Sequence, residues 1–129
     1  MKNLGLNHYN LRAPRPMLEA LRQFYCDIVG LRVGERPPLA SFGYWLYAGE
    51  QGVLHLSEAR DDEQRDRPAA GTFDHVAFSC ADCAGFQALL DAQGVQYRLA
   101  RVPGTGQVQL FFQDPAGNGV ELNFAPAAG

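Results

Sequence analysis

Three histidines and one glutamate stand out by type and by spacing. His8, His55 and His75 are the only histidines in the 129-residue chain. Each lies in a short apolar stretch: "LNHYNLR", "VLHLS" and "FDHVAFS". Glu121 interrupts "VELNF" in the same manner. His8 and His75 are 67 residues apart, and His55 and Glu121 are 66 apart. The four residues therefore occupy equivalent places in two halves of the chain, to within one residue. Alternation puts Val120, Leu122 and Phe124 on one strand face and Glu121 on the other. Leu54 and Leu56 oppose His55, and Val76 and Phe78 oppose His75, in the same way. A lone histidine in an apolar strand is usually a hydrogen-bonded structural residue. Four such groups would each need a partner, because an unpaired buried polar group costs free energy. Imidazole nitrogens and a carboxylate are also the donors that suit Zn²⁺, Ni²⁺, Mn²⁺, Fe²⁺ or Co²⁺. His8, His55, His75 and Glu121 are thus the expected ligands of a divalent metal ion.

The surrounding sequence must build strands to hold them. Residues 4–12 read as a strand. A helix follows from about residue 16 to 29, with Pro16 at its start, Leu18, Leu21, Tyr25 and Ile28 at helical spacing, and Gly30 as its stop. Strands are expected over 31–36, 41–49 and 53–57, with a turn at 49–52. Residues 58–71 are charged, contain proline and lack apolar periodicity, which predicts a solvated linker. The order then returns. Residues 73–79 form a strand, and Asp82 caps a helix to about residue 93 that buries Phe86, Leu89 and Leu90. Gly94 ends that helix, and strands follow at 95–101, 107–113 and 120–124. Module one covers about 4–57 and module two about 72–124. The fold class is α+β, a pseudo-twofold pair of βαβββ modules within one domain spanning 1–129. A solenoid would need at least three repeats.

Composition narrows the function. Hydrophobic residues make up 47% and charged residues 19%, ordinary for a soluble globular protein. The net charge is -3 with no basic block, against a nucleic-acid partner. No apolar run approaches the ~20 residues of a membrane helix, and "MKNLGLNHYN" lacks the apolar core of a signal peptide. Three cysteines with no secretory context argue against a disulfide framework and for a reducing cytoplasm. Cys80 and Cys83 form C-x-x-C where a strand meets a helix, a position that can activate a thiol. Without a second pair they read as incidental thiols.

The run "FFQDPAGNGVELNF" (111–124) resembles the signature of the vicinal oxygen chelate superfamily, also called the glyoxalase/bleomycin resistance/dioxygenase superfamily. "LNHYNLR" and "FDHVAFS" resemble its two histidine-bearing strands, and the likeness extends over roughly residues 4 to 124. It implies a curved mixed sheet around a cleft, bordered by the third strand and so by Trp45 or its neighbours. It implies three metal ligands, carried here by His8, His75 and Glu121. His55 falls where the glyoxalase I branch has a fourth ligand, usually Glu, and the epimerase branch Gln. Histidine there can ligate the metal or act as a general base, so His55 and Glu121 are the candidate catalytic residues. The implied chemistry is metal-assisted stabilisation of charge on two adjacent substrate oxygens, in a lyase, isomerase or thiol transferase acting on a small molecule. A thiol transferase of the fosfomycin-resistance kind needs phosphonate-binding cations, for which Arg12, Arg98 and Arg101 are candidates, although surface solubility is the preferred reading. An extradiol dioxygenase would use the same two-His-one-carboxylate set. Its motif resembles Y-x-x-D-P-x-G, however, and Phe111 stands where the tyrosine belongs. A metal-free drug-binding protein is the alternative of a different class. Single-domain members are commonly homodimers, and open sheet edges favour pairing.

Overall fold

In both halves the first strand pairs with the last, and the strands between are added outside the last. A computed structural model describes residues 1–65 and 71–126. The chain divides into two compact units, Met1–Arg67 and Pro68–Gly129. The first contains β1 (Tyr9–Ala13), α1 (Arg15–Phe24), β2 (Arg32–Gly34), β3 (Gly43–Ala48) and β4 (Gln51–Glu58). The second contains β5 (His75–Cys80), α2 (Cys83–Ala92), β6 (Arg98–Arg101), β7 (Val108–Gln113) and β8 (Gly119–Phe124). Sheet order is β1-β4-β3-β2 in one and β5-β8-β7-β6 in the other. In each, the first and last strands run parallel and the remaining pairs antiparallel. The two βαβββ modules expected from the repeat are therefore both present, each as a four-stranded mixed sheet.

One face of each sheet is a hydrophobic core. In the first unit Leu46, Leu54 and Leu56 meet Leu18, Leu21 and Tyr25, all at most 1% exposed. In the second, Leu110, Val120 and Leu122 are fully buried together with Leu90 of α2. Burial of a leucine side chain contributes about 1.5–3 kcal/mol, so these faces fix the strand register. A slip of one residue would turn every leucine outward. The opposite faces are thereby committed to the candidate ligands.

Several boundaries differ from the sequence expectation; β2 and β6, for example, are shorter than the strands read at 31–36 and 95–101. β1 begins at Tyr9, so His8 precedes the strand instead of lying within it. Gly5 adopts a left-handed φ of 118°, and its N–H donates to Asn3 Oδ1 at 2.8 Å, so the chain turns locally before the ladder starts. α1 ends at Phe24, and a π-helical turn, Tyr25–Val29, continues to Gly30. The wider turn lets Tyr25, Ile28 and Val29 all bury, and Gly30 stops it with a φ of 92°. α2 is capped by Asp82, as expected, through an acceptor contact from the Gly85 N–H at 3.0 Å. It buries only Leu90 fully, while Phe86 and Leu89 stay partly exposed. Among the described residues no helix is long and apolar enough to cross a membrane.

Candidate functional site

The first unit brings His8 and His55 together. β1 and β4 pair in parallel with Asn10 opposite His55, and β3 places Trp45 opposite His55 on its other side. The three rings form a column. His8 and His55 stack with centroids 3.7 Å apart, and Trp45 lies on His55 at 4.0 Å with planes only 4° apart. Strand alternation alone leaves open which way Trp45 points; the register puts it on the histidine face. Stacking fixes the ring planes, and the His55 ring also hydrogen-bonds the Gly52 backbone. Burial holds the His55 imidazole below its ordinary pKa, and the neighbouring His8 acts in the same direction.

The second unit brings His75 and Glu121 together. His75 opens β5, opposite Gly119, and Glu121 lies two residues further along β8. A β-carbon on Gly119 would collide with the Asp74 carbonyl and press on His75, so glycine is required for this approach. His75 Nε2 is 3.2 Å from Glu121 Oε1. Glu121 is 5% exposed, and its Oε2 accepts from Asn123 Nδ2 at 3.1 Å. The strand is aimed by the turn before it. Buried Asp114 accepts from the Ala116 and Asn118 N–H groups through Oδ1, both at 2.9 Å, and Gly117 supplies a φ of 87°. This Asx-type turn hands the chain from β7 to β8.

His8, just before β1, and His75, at the start of β5, each have Nδ1 engaged by the residue before. His8 Nδ1 meets Asn7 Oδ1 at 2.7 Å, and His75 Nδ1 meets Asp74 Oδ1 at 2.7 Å. A carboxylate oxygen can only accept, so His75 Nδ1 is the donor to Asp74, and Nε2 is the nitrogen that faces Glu121. That is the orientation seen for metal-bound histidines, whose other N–H is donated to a carboxylate or carbonyl.

The donor chemistry fits a divalent ion. Two donors about 2.1 Å from one ion lie about 3.0–3.4 Å apart, depending on coordination number. The 3.2 Å between His75 Nε2 and Glu121 Oε1 falls in that range. No group of three or more His, Cys, Asp or Glu able to hold a metal ion is found among the described residues. Two open depressions lie away from these pairs: about 690 Å³ at Asp91 and Gly94–Tyr97, and about 540 Å³ beside Arg15, Glu58 and Arg60. In the second, Glu58 and Glu63 are already ion-paired to arginine, so the ligand pairs remain the better candidate site.

The profile of the Glyoxalase/Bleomycin resistance protein/Dioxygenase superfamily matches residues 5–122. The chain belongs to this superfamily. Solved glyoxalase-superfamily structures are similar along nearly its whole length. A lactoylglutathione lyase from Agrobacterium tumefaciens is 25% identical, with 96% of each chain covered and a TM-score of 0.68. A glyoxalase family protein from Enterococcus faecalis is 26% identical, covering 93% of this chain and 97% of its own, with a TM-score of 0.64. The trypanothione-dependent glyoxalase I of Leishmania major shares the fold at 20% identity and a TM-score of 0.67, over 93% of this chain and 86% of its own. No curated protein is matched by sequence.

Set against the glyoxalase superfamily, several residues change standing. Arg12 is not a free cation. Its Nε and Nη2 donate to the Glu63 carboxylate, at 2.8 and 2.6 Å, and its Nη1 to Ser57. The linker is exposed at Arg60, Asp61, Asp62, Gln64 and Arg65, as its composition predicts, but the Glu63 side chain is only 12% exposed. Asp66 to Ala70 lie outside the described residues. Cys80 and Cys83 are free thiols; burial pushes the Cys80 thiol up, the opposite of an activated nucleophile. Sequence reasoning missed Asn7 and Asp74, which recur at the same spacing of 67 as the histidines they follow.

Proposed function

We propose that the chain is a divalent-metal-dependent enzyme of glyoxalase type, a lyase or isomerase acting on a small molecule with two adjacent oxygens. The observation that carries this reading is the matched arrangement of donors. His75 Nε2 and Glu121 Oε1 stand at ligand spacing in one half, and His8 and His55 stack in the equivalent place in the other. We read both modules as one domain, since the family match runs across them, and we expect a cytoplasmic homodimer.

A bound Zn²⁺, Ni²⁺, Mn²⁺, Fe²⁺ or Co²⁺ would supply Lewis acidity toward the substrate oxygens. The remaining work belongs to the protein. Asp74 and Asn7 engage the two Nδ1 atoms, which leaves the Nε2 atoms as the ones that would meet the ion. Asn123 fixes one oxygen of Glu121 and so aims the other. His55, kept neutral by burial, is suited to accept a proton from carbon or to serve as the fourth ligand. Phe111 brings no hydroxyl to the place where a dioxygenase motif has tyrosine, which favours the lyase or isomerase reading over ring cleavage.

Metal uptake tests the proposal. The purified protein, stripped with chelator and dialysed against Zn²⁺, Ni²⁺, Mn²⁺, Fe²⁺ or Co²⁺, should regain metal. His8→Ala and Glu121→Ala should each lose it while keeping the native circular dichroism spectrum. An imidazolium–carboxylate ion pair would also give the 3.2 Å spacing. Wild-type protein that takes up none of these ions would therefore establish the ion pair, and with it a metal-free binding protein of the bleomycin-resistance kind.

A further inference from the structure

Arg12 stands on the same sheet face as the column of His8, His55 and Trp45. In the β1–β4 ladder Asn10 lies opposite His55, and Arg12 opposite Ser57. Alternation puts these four side chains on one face. They are joined there: Arg12 Nη1 donates to Ser57 Oγ at 3.3 Å, and Ser57 Oγ donates to Asn10 Oδ1 at 3.1 Å. Ser57 follows His55 by two residues, about 7 Å along the strand. The group that covers this end of the face comes from outside the sheet. The Ala59 N–H donates to the Ala13 carbonyl, and the Glu63 N–H then returns to the Arg60 carbonyl in a turn. The turn carries Glu63 back onto Arg12, whose Nε and Nη2 hold both carboxylate oxygens, at 2.8 and 2.6 Å.

Little else fastens that turn. Residues 60–65, "RDDEQR", offer no apolar side chain to bury. Among the described residues, Arg60, Asp62 and Arg65 pair only within the turn. A depression of about 540 Å³ lies between it and Pro14 and Pro16, so the turn is not packed down on the body of the unit. Yet the Glu63 side chain is 12% exposed, against 70% for Arg60 and 78% for Asp62. We propose that the turn at 60–63 is a strap over the site face of the first unit, and that the Arg12–Glu63 ion pair is its clasp. Closed, the strap bars the approach to His55 from the Arg12 end. Opened, it uncovers that approach. A segment held by one ion pair opens far more readily than one held by buried apolar surface. The proposal rests on reading the histidine face as the site. An ion pair that only stabilised the fold would leave access to His55 unchanged when removed.

Diethyl pyrocarbonate, which acylates accessible imidazoles, provides the test. It is used on metal-free protein, so a failed strap and a failed metal site are read apart. Mass spectrometry follows each histidine separately, with His75 of the second unit as the reference. Glu63→Ala should raise the rate at His55 roughly fivefold or more, the effect of losing one charge-assisted contact. Wild type in about 1 M salt, where the screening length falls to about 3 Å, should move in the same direction. His75 should react as before in both. Arg12→Gln combined with Glu63→Gln removes the clasp without changing the net charge. It should give the same rise at His55, which separates the strap from a charge effect on the neighbouring ring. Each variant is compared at a temperature where its circular dichroism spectrum is native. An unchanged His55 rate in Glu63→Ala, or a rise confined to the variant that alters net charge, overturns the strap. So does a rise shared equally by His75, which would mark a general loosening of the chain.

Discussion

Asn7 and Asp74 perform one task with different charge. Each accepts the Nδ1 proton of the histidine that follows, at 2.7 Å. An amide does this by dipole, whereas a carboxylate also makes the imidazole a stronger donor to a cation. Asp74→Ala should therefore weaken divalent-metal affinity about 10–100-fold, the usual effect of losing such a partner. Asp74→Asn, which keeps the Oδ1 acceptor, should lose much less. Competition with a chromophoric chelator measures both, and an unchanged affinity in Asp74→Ala would assign the contact to the protein surface. At this scale the four candidate ligands were legible because their spacing repeats and their neighbours alternate. The Asp74 contact was not, since a polar residue beside an exposed strand end looks the same whether or not it touches a ring. Trp45 was half legible: its type was plain, but its side depended on a pairing register that one strand cannot show.

At the scale of elements, the linker is exposed as expected but tied to β1 at one residue. Glu63 accepts from Arg12, 51 residues earlier, and its carboxylate also meets Arg60 and Arg65. These contacts, Arg12 foremost, lower the Glu63 pKa from 4.5 to about 2. The unfolded chain therefore binds the proton first as pH falls. The stabilisation is complete above the ordinary value and disappears as pH drops from 4.5 toward about 2. Glu63→Gln should have a lower melting temperature than wild type at neutral pH and a flatter profile between about pH 5 and pH 2. Parallel curves over that window would show that the contact contributes nothing to folding. The linker's composition carried no sign of this, because an ion pair so far apart in sequence leaves no periodicity. The "DPAGNG" turn was readable for the opposite reason. Asp114, Asn118 and the glycines act on backbone within four residues of one another.

For the whole molecule, the repeat itself predicted the architecture. Identical strand orders in the two sheets follow from two copies of one hydrophobic pattern. The number of chains per site is a separate matter. Each half supplies two donors, and a divalent centre commonly takes three or more from protein. We expect a homodimer whose centres draw one pair from each copy. Mixing His8→Ala with Glu121→Ala protein under conditions of subunit exchange should then recover metal, because each mixed dimer holds one intact centre. No recovery would mean that one chain supplies both pairs. The strand order has a last consequence, for synthesis. β4 and β8 are made last in their halves, yet each lies between two earlier strands. Until β4 emerges, β1 has no partner and β3 has only β2. A nascent half therefore cannot close its sheet without the strand that carries His55, or, in the second half, Glu121. Any half that has finished folding already has that donor in position, and a chain truncated before residue 119 loses the joint between β5 and β7 together with its carboxylate.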